Sequence, residues 1–383
     1  METMADWYGL KTGHKDFYIE NDVHARLLFA RQELDDQLQR ILRKSFRTGN
    51  PPKFVLYGDW GVGKTHTMRH IEHVVTTTTG FDAQIVYVEL PDITAKATFQ
   101  LAHAALLDSL GMHRVKTWML QLQTKHQAQS LQMIQHQTQS EDIARAFLTL
   151  VGFGDTARIC WDWLRGVDLS TSEARSAGLP ASLSQSNQLV AVLRTLGLLS
   201  REIDDKILVL MLDEATKLTS VTNGDAIAHW LNAFKILSDK LTKEVGFIVS
   251  ASFRDPDDMP QALADQQIQT RFGLNHYIQL KNFGPPEADV FLLALLDSWI
   301  DPVHRVTLMS AHEKEADAEK ITNESFPFTE KAKGRFVDYT CRNGNITNPR
   351  DIQQSLDDIL NRAIDDGRHL ISGKYIETVL ASV

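Results

Sequence analysis

The sequence predicts an α/β fold in which a parallel sheet is covered by helices, with a long helical insertion and an all-helical domain at the end of the chain. Five short apolar segments occur between residues 53 and 280, and helical patterns separate them. Strands that alternate with helices are typical of a parallel sheet buried on both faces. Residues 94–204 show a helical pattern without a convincing strand, and so do the residues after Pro286.

Length and composition favour a globular protein with more than one domain. The chain has 383 residues, of which 43% are hydrophobic and 23% charged, and these values exclude a largely disordered protein. A chain of this length is longer than a single domain with one hydrophobic core usually is. We expect an N-terminal helical segment over residues 1–50, an α/β domain over 51–283 that includes the insertion at about 94–204, and a helical lid domain over 284–383.

Charge, cysteine content and hydropathy exclude several classes of function. The 40 basic and 49 acidic residues give a net charge of −9, so nucleic acid could bind only through a local basic surface. Cys160 and Cys341 are too few for a disulfide framework or a cysteine metal site. The longest apolar run, Val290 to Leu296, is too short to cross a membrane. Because the N-terminus also lacks the pattern of a secretory signal, we expect a cytoplasmic protein without a membrane partner.

The individual elements are predicted from apolar periodicity and from turn residues. A leucine stripe predicts a helix over residues 22–46, whose basic end is followed by Pro51 and Pro52. Further helices are predicted over 64–75 and 225–241. The predicted strands are KFVLYG at 53–58, QIVYVEL at 84–90, KILVLML at 206–212, GFIVSAS at 246–252 and HYIQL at 276–280.

The first strand leads directly into a complete phosphate-binding motif, GxxxxGK[ST]. Its glycines allow successive backbone N–H groups to face phosphate oxygens, and the N-terminus of the next helix adds partial positive charge. Lys64 can reach the β- and γ-phosphates of ATP, and Thr65 offers a hydroxyl to Mg²⁺. A glycine-rich turn without a ligand is the alternative, but strand, loop and helix stand in the order that a nucleotide site requires. The residues expected to contact ATP here are Gly58, Asp59, Trp60, Gly61, Val62, Gly63, Lys64, Thr65 and His66.

Two adjacent carboxylates, Asp213 and Glu214, follow the six aliphatic residues of the third strand. The carboxyl end of a strand in an open α/β sheet faces the ligand crevice. Asp213 would hold Mg²⁺ through water, and Glu214 would polarise the water that attacks the γ-phosphate. A solvated strand end or a helix N-cap is the alternative. The phosphate-binding motif earlier in the chain favours the catalytic interpretation.

Taken together, these motifs resemble those of AAA+ ATPases over roughly residues 20–365. Gly58–Thr65 is similar to the Walker A element, and Leu208–Glu214 is similar to Walker B. Within that class the chain is similar to initiator-like proteins of the origin-recognition and transposition-regulator types. Residues 161–197 show a weaker similarity to ATPases of bacterial defence islands, of the BREX-associated type.

The resemblance implies three further functional residues. The strand at 246–252 ends where the family places its sensor 1, which implies Ser252, with Ser250 as the alternative. Arg271 precedes the fifth strand at the position of the arginine finger, which neutralises charge on the γ-phosphate in a neighbouring subunit. Arg350, in GNITNPRDI, is at the position of the sensor 2 arginine. A serine that starts a loop and arginines with structural partners remain the alternatives.

The function implied by the resemblance is that of an ATP-hydrolysing switch, which assembles into a ring or filament with ATP and Mg²⁺ at the subunit interfaces. Its setting would be a transaction on double-stranded DNA: transposition regulation, replication initiation or phage defence. The partner would be a transposase, a nuclease or another effector protein. A nucleotide-gated scaffold with little turnover, which recruits an effector, is the alternative. A polypeptide-threading machine ranks last, because residues 91–95 lack an aromatic–hydrophobic–glycine loop.

Two basic segments are candidates for contact with DNA. One is the segment from Arg40 to Lys53, and the other contains Arg114, Lys116 and Lys125. Clustered Lys and Arg side chains bind phosphate backbones by releasing counterions, although a solvated helix face has the same composition. A winged-helix DNA reader does not fit after the lid. The spacing of His66, His70 and His73 suits a metal, but nothing completes a site there, and we expect none.

Overall fold

The computed structural model describes residues 3–20, 24–127, 129–152, 154–239, 243–255, 258–272, 276–341 and 346–381. Its five strands form one sheet in the order β2-β3-β4-β1-β5, and every pairing is parallel. This confirms the predicted fold class. The strands are β1 Lys53–Gly58, β2 Ala83–Glu89, β3 Ile207–Asp213, β4 Val245–Ser252 and β5 Tyr277–Gln279.

Helices account for most of the remaining described chain. Those before and within the insertion are α1 Met4–Tyr8, α2 Gln32–Thr48, α3 Lys64–Thr77, α4 Gln100–Leu110, α5 Met112–His126, α6 Gln129–Thr138, α7 Glu141–Thr149, α8 Asp155–Leu164, α9 Thr171–Ala177 and α10 Ser186–Asp204. Those after it are α11 Gly224–Ser238, α12 Gln261–Ala264, α13 Gln266–Phe272, α14 Pro285–Trp299, α15 Pro302–Ala311, α16 Glu330–Thr340, α17 Pro349–Asp365 and α18 Gly373–Ala381. Short 3₁₀ turns occur at Ala215–Ser220 and Glu313–Ala316. The predicted helical insertion and helical C-terminal region are therefore both present.

The first long helix begins later than the leucine stripe predicts, at Gln32 rather than near residue 22. Two carbonyls that a helix would use internally accept hydrogen bonds from histidines instead: His70 Nδ1 lies 2.8 Å from the Ala25 carbonyl, and His66 Nε2 lies 2.6 Å from that of Leu27. Ala30 has a φ of +52°, which a right-handed helix excludes. The expected start of this helix falls at residues 21–23, which lie outside the described residues. The expected end of the helix over 225–241 falls at residues 240–241, which lie outside them as well.

The described chain packs as two compact units. One comprises residues 1–36, 59–70 and 280–383, and the other comprises 37–58 and 71–279. Each has its own apolar core. The first core contains Tyr8, Phe17, Phe291, Trp299, Phe336 and Leu356. The second contains Trp118, Phe147, Trp163, Trp230, Phe234 and Phe247. The domain bounds expected above stay a prediction. No helix among the described residues has both the length and the apolar character needed to span a membrane.

One glycine inside α10 permits close packing of that helix on the sheet. A Cβ atom on Gly197 would overlap the carbonyl oxygen of Glu244 and would lie 2.7 Å from Cγ1 of Val245, the first residue of β4. Real Cβ atoms do not approach a backbone atom so closely, and interiors are too densely packed to make room without a backbone shift. Helix α10 can therefore lie against β4 only because residue 197 has no side chain.

We predict that Gly197→Ala lowers the free energy of unfolding by about 1–3 kcal/mol, because the added methyl group overpacks this contact. Urea unfolding followed by circular dichroism measures the change. The matched control is Gly224→Ala, at the first position of α11, where a Cβ meets nothing within 4 Å. The control should be neutral or slightly stabilising. Equal unfolding midpoints for the two variants would contradict this view of the α10–β4 contact.

Candidate nucleotide site

The phosphate-binding motif forms a loop between the end of β1 at Gly58 and the start of α3 at Lys64. Gly61 and Gly63 have φ angles of +75° and +92°, which other residues rarely adopt. The Lys64 ammonium donates a 2.8 Å hydrogen bond to the Asp59 carbonyl, so this side chain folds back over its own loop. Lys64 is only 7% exposed, whereas Trp60 is 59% exposed. The loop thus has a buried cation beside its backbone and an indole on its outer surface.

The same loop contacts the first turn of α17. A Cβ atom on Gly61 would lie 2.6 Å from the side-chain oxygen of Asn348 and 3.2 Å from the Cβ of Arg350. Asn348 caps α17, because its side-chain oxygen accepts a 2.9 Å hydrogen bond from the Asp351 N–H. The structure therefore places exposed Arg350, and the partial positive charge of a helix N-terminus, next to the loop.

A third cation, Arg31, holds the loop from the other side. Its guanidinium donates hydrogen bonds to the carbonyls of Val62 at 2.8 Å and Lys281 at 3.0 Å. It also lies over the ring of Phe283, with its central carbon 4.7 Å from the ring centroid. Burial lowers the pKa of Arg31 to about 10, so the group stays charged at neutral pH. Sequence reasoning missed Arg31, since an arginine at a helix start has no distinctive pattern.

The histidines of α3 have structural roles. His66 and His70 bind the backbone carbonyls of Leu27 and Ala25, and His70 Nε2 also lies 3.2 Å from the Asp35 carboxylate. Burial is the main cause that lowers the pKa of His66, so this ring is neutral at pH 7. These bonds attach the N-terminal segment to the helix that follows the phosphate loop.

In the other unit, Asp213 ends β3 and is only 1% exposed. It accepts hydrogen bonds from the Tyr87 hydroxyl at 2.7 Å, from the Glu214 N–H at 2.8 Å and from the Ser250 hydroxyl. A buried carboxylate needs such donors, because burial without them costs several kcal/mol. Tyr87, on β2, was not identified from the sequence. The available signal was a tyrosine between two valines of the strand predicted at 84–90.

The two candidate sensor serines differ in what they contact. Ser250 donates its hydroxyl to Asp213, whereas the Ser252 backbone N–H donates to the Thr216 hydroxyl. Ser252 pairs in register with Gly58, the last residue of β1. Glu214 is half-buried and has a φ of +57°, a left-handed conformation that turns the chain sharply out of β3. Of the two serines, Ser250 is the one whose hydroxyl contacts the Asp213 carboxylate.

Arg271 has partners within its own unit. It lies in α13, where its guanidinium donates a 2.5 Å hydrogen bond to the Lys235 carbonyl and lies 3.3 Å from the Asp239 carboxylate. The side chain remains 38% exposed. An ion pair at this exposure stabilises a fold by only about 0–1 kcal/mol, so Arg271 can leave Asp239 at low cost.

Comparison with known proteins gives the following matches. Residues 27–229, more than half of the chain, match the AAA ATPase domain family. No curated protein matches. The chain is similar to the ORC2 protein of Aeropyrum pernix in its ADPNP–ADP complexes, with 13% identity, a TM-score of 0.49, and coverage of 94% of this chain and 71% of that one. It is also similar to Aeropyrum pernix ORC1 in complex with DNA (10% identity, TM-score 0.45, coverage 93% and 66%) and to the Thermotoga maritima RuvB Holliday junction branch migration motor (11% identity, TM-score 0.41, coverage 92% and 70%).

We predict that Arg31→Met loosens the phosphate loop. Hydrogen bonds from a charged donor stabilise by about 1.5–3 kcal/mol, so loss of the bond to Val62 should raise amide exchange over residues 62–66 by about tenfold or more. Hydrogen-exchange mass spectrometry measures this. The control is Arg26→Met, an exposed arginine of the same segment. Equal exchange in both variants would show that Arg31 does not hold the loop.

Proposed function

Because the chain belongs to the AAA ATPase family, we propose that it binds ATP with Mg²⁺ and hydrolyses it. The observation that carries the proposal is the loop between β1 and α3. Two glycines with positive φ, a buried lysine and the N-terminus of α3 occur there together. Backbone N–H groups that face one point, next to a helix N-terminus, form a site for phosphate.

The residues have distinct roles in the proposed reaction. Lys64 would neutralise the β- and γ-phosphates, and Thr65 would offer its hydroxyl to Mg²⁺. Asp213 uses three of its roughly four lone-pair sites on Tyr87, Ser250 and Glu214. The remaining site suits a water molecule in the shell of Mg²⁺, which is the indirect contact expected of this aspartate.

Glu214 is the proposed base, because it is the second carboxylate of the pair and is not fully buried. It would orient the attacking water in line with the γ-phosphate. Ser250, rather than Ser252, is the proposed sensor, since its hydroxyl contacts Asp213. Arg350 would bind phosphate from the first turn of α17, and its proximity to Gly61 supports this role.

Arg271 is the residue proposed to act in trans, on ATP bound to a neighbouring subunit. Hydrolysis would then require assembly, and the protein would work as a nucleotide-dependent assembly switch in a transaction on double-stranded DNA. That setting, whether transposition regulation, replication initiation or phage defence, and the effector partner rest on the initiator-like motifs. A scaffold with little turnover is the second candidate. It is favoured by the contacts of Arg271 with Lys235 and Asp239, which hold the guanidinium within its own chain.

We predict that Lys64→Ala abolishes ATP binding, whereas Glu214→Gln retains ATP affinity within a few-fold and lowers the turnover rate by about 10²–10⁴-fold. Titration with a fluorescent ATP analogue and phosphate-release assays measure the two effects. Glu313→Gln, the same change at an exposed position, should alter neither. Wild-type protein that binds ATP without measurable turnover, at any protein concentration, would favour the scaffold.

A mixing experiment tests the action of Arg271 in trans. We predict that Arg271→Ala and Glu214→Gln are each inactive alone and that an equimolar mixture regains about a quarter of the wild-type rate or more. In the mixture, an intact site of the Arg271→Ala subunit can receive the arginine of a Glu214→Gln neighbour. Phosphate release measures the rate. If the mixture stays as inactive as its components while both still assemble, Arg271 does not act across an interface.

A further inference from the structure

A basic pocket lies near the N-terminal ends of the parallel strands. It is formed by the last turns of α2 and by the connection between α3 and β2, and its volume is about 470 Å³. Asp213 lies at the other side of the sheet, at the C-terminal ends of the strands, because all five strands are parallel. The residues that line the basic pocket are Arg40, Arg43, Lys44, Phe46, Arg47, Gly80 and Phe81.

Four cations form one stripe along α2. Their positions, 40, 43, 44 and 47, follow the i, i+3, i+4, i+7 spacing that places side chains on a single helix face. All four are exposed. Within the described ranges of the chain, none of them forms an ion pair, although eight other arginines do. A protein with a net charge of −9 thus keeps one face of unpaired positive charge.

The helix dipole accounts for only part of this stripe. Cations are favoured within the last turn of a helix, and the effect falls off beyond it. Helix α2 ends at Thr48, so the dipole favours Arg47 and, more weakly, Lys44. Arg40 and Arg43 lie one to two turns earlier, where like charges at this spacing repel each other. An anion that binds along the whole stripe would remove that repulsion.

Two phenylalanine rings line the basic pocket, but they stack on each other. Phe46 and Phe81 stack on each other, with centroids 4.8 Å apart and planes at 18°. Both rings are half-buried. Proteins that hold single-stranded nucleic acid stack its bases on exposed aromatic rings. Because these two rings already cover each other, the basic pocket suits a backbone rather than unpaired bases.

The length of the stripe matches a linear polyanion. Residues 40 and 47 are seven positions apart, which is about 10 Å along a helix. Duplex DNA carries one charge per about 1.7 Å of its axis when both strands are counted, so a stretch as long as the stripe carries roughly six phosphates, of which only part can face it. A compact phosphate group could reach only part of it. We propose that the basic pocket binds the phosphate backbone of double-stranded DNA, a step that rests on the DNA setting of the proposed function.

The test uses the full chain with a slowly hydrolysed ATP analogue and a fluorescent 20-base-pair duplex, measured by anisotropy between 50 and 200 mM salt. The variant is Arg43→Glu with Arg47→Glu. We expect its affinity for the duplex to fall at least tenfold, and the slope of log affinity against log salt to decrease in magnitude by about 2, since two phosphate contacts are lost. Binding of the ATP analogue should be unchanged.

The control variant, Arg175→Glu with Lys314→Glu, changes the net charge by the same amount at exposed positions outside the basic pocket. It should bind DNA with less than threefold loss. Equal weakening in both variants would overturn the proposal, because total charge would then explain the effect. Competition by inorganic tripolyphosphate or by a 20-nucleotide single strand, at lower concentration than by duplex, would also overturn it.

The outcomes separate this proposal from the proposed function. If the wild type binds duplex and the pocket variant binds it equally well, the basic pocket is excluded while the DNA setting stands. If the wild type binds no duplex, both the pocket and the DNA setting fail. Titration with the ATP analogue in the same samples then shows whether nucleotide binding survives independently.

Discussion

The candidate site depends on a backbone constraint: the chain must turn from the buried strand β1 into α3 within five residues. Two glycines with left-handed φ make this turn, and one of them, Gly61, also lies too close to Asn348 to carry a side chain. The loop therefore packs within the same compact unit as the C-terminal helices, and α17 is capped by the residue that touches it. A ligand that orders the loop acts directly on that helical unit.

The sequence was informative wherever a pattern repeats or a motif has a fixed spacing. Aliphatic runs located the five strands to within about a residue, because parallel strands are buried on both faces. The phosphate loop and the Asp213–Glu214 pair were predicted for a similar reason, since the chemistry proposed for them requires particular residues next to particular elements. The leucine stripe located α2 less well, since periodicity does not reveal that His66 and His70 occupy the carbonyls of Leu27 and Ala25.

Residues that act through tertiary contacts were missed. Arg31 is about thirty positions from the loop carbonyl it binds, and Tyr87 is 126 positions from Asp213. A single amino-acid sequence does not reveal which distant residues are in contact. The choice between Ser250 and Ser252 had the same difficulty, because both lie on one side of β4 and only the distance to Asp213 separates them. Sequence patterns thus located the candidate reacting groups, while the structure located the side chains that contact them.

The contacts of Arg271 bear on how much the isolated chain can do. Its bond to the Lys235 carbonyl and its contact with Asp239 account for the guanidinium without any neighbouring subunit. The Asp239 contact is nevertheless a weak competitor for a phosphate. Asp239 is partly solvated, so its ion pair contributes at most about 1 kcal/mol, whereas a bidentate contact of arginine with phosphate is stronger and better oriented. In the proposed trans mechanism, these contacts would keep the arginine ordered in the single chain until a triphosphate replaced them, so they are compatible with action across an interface.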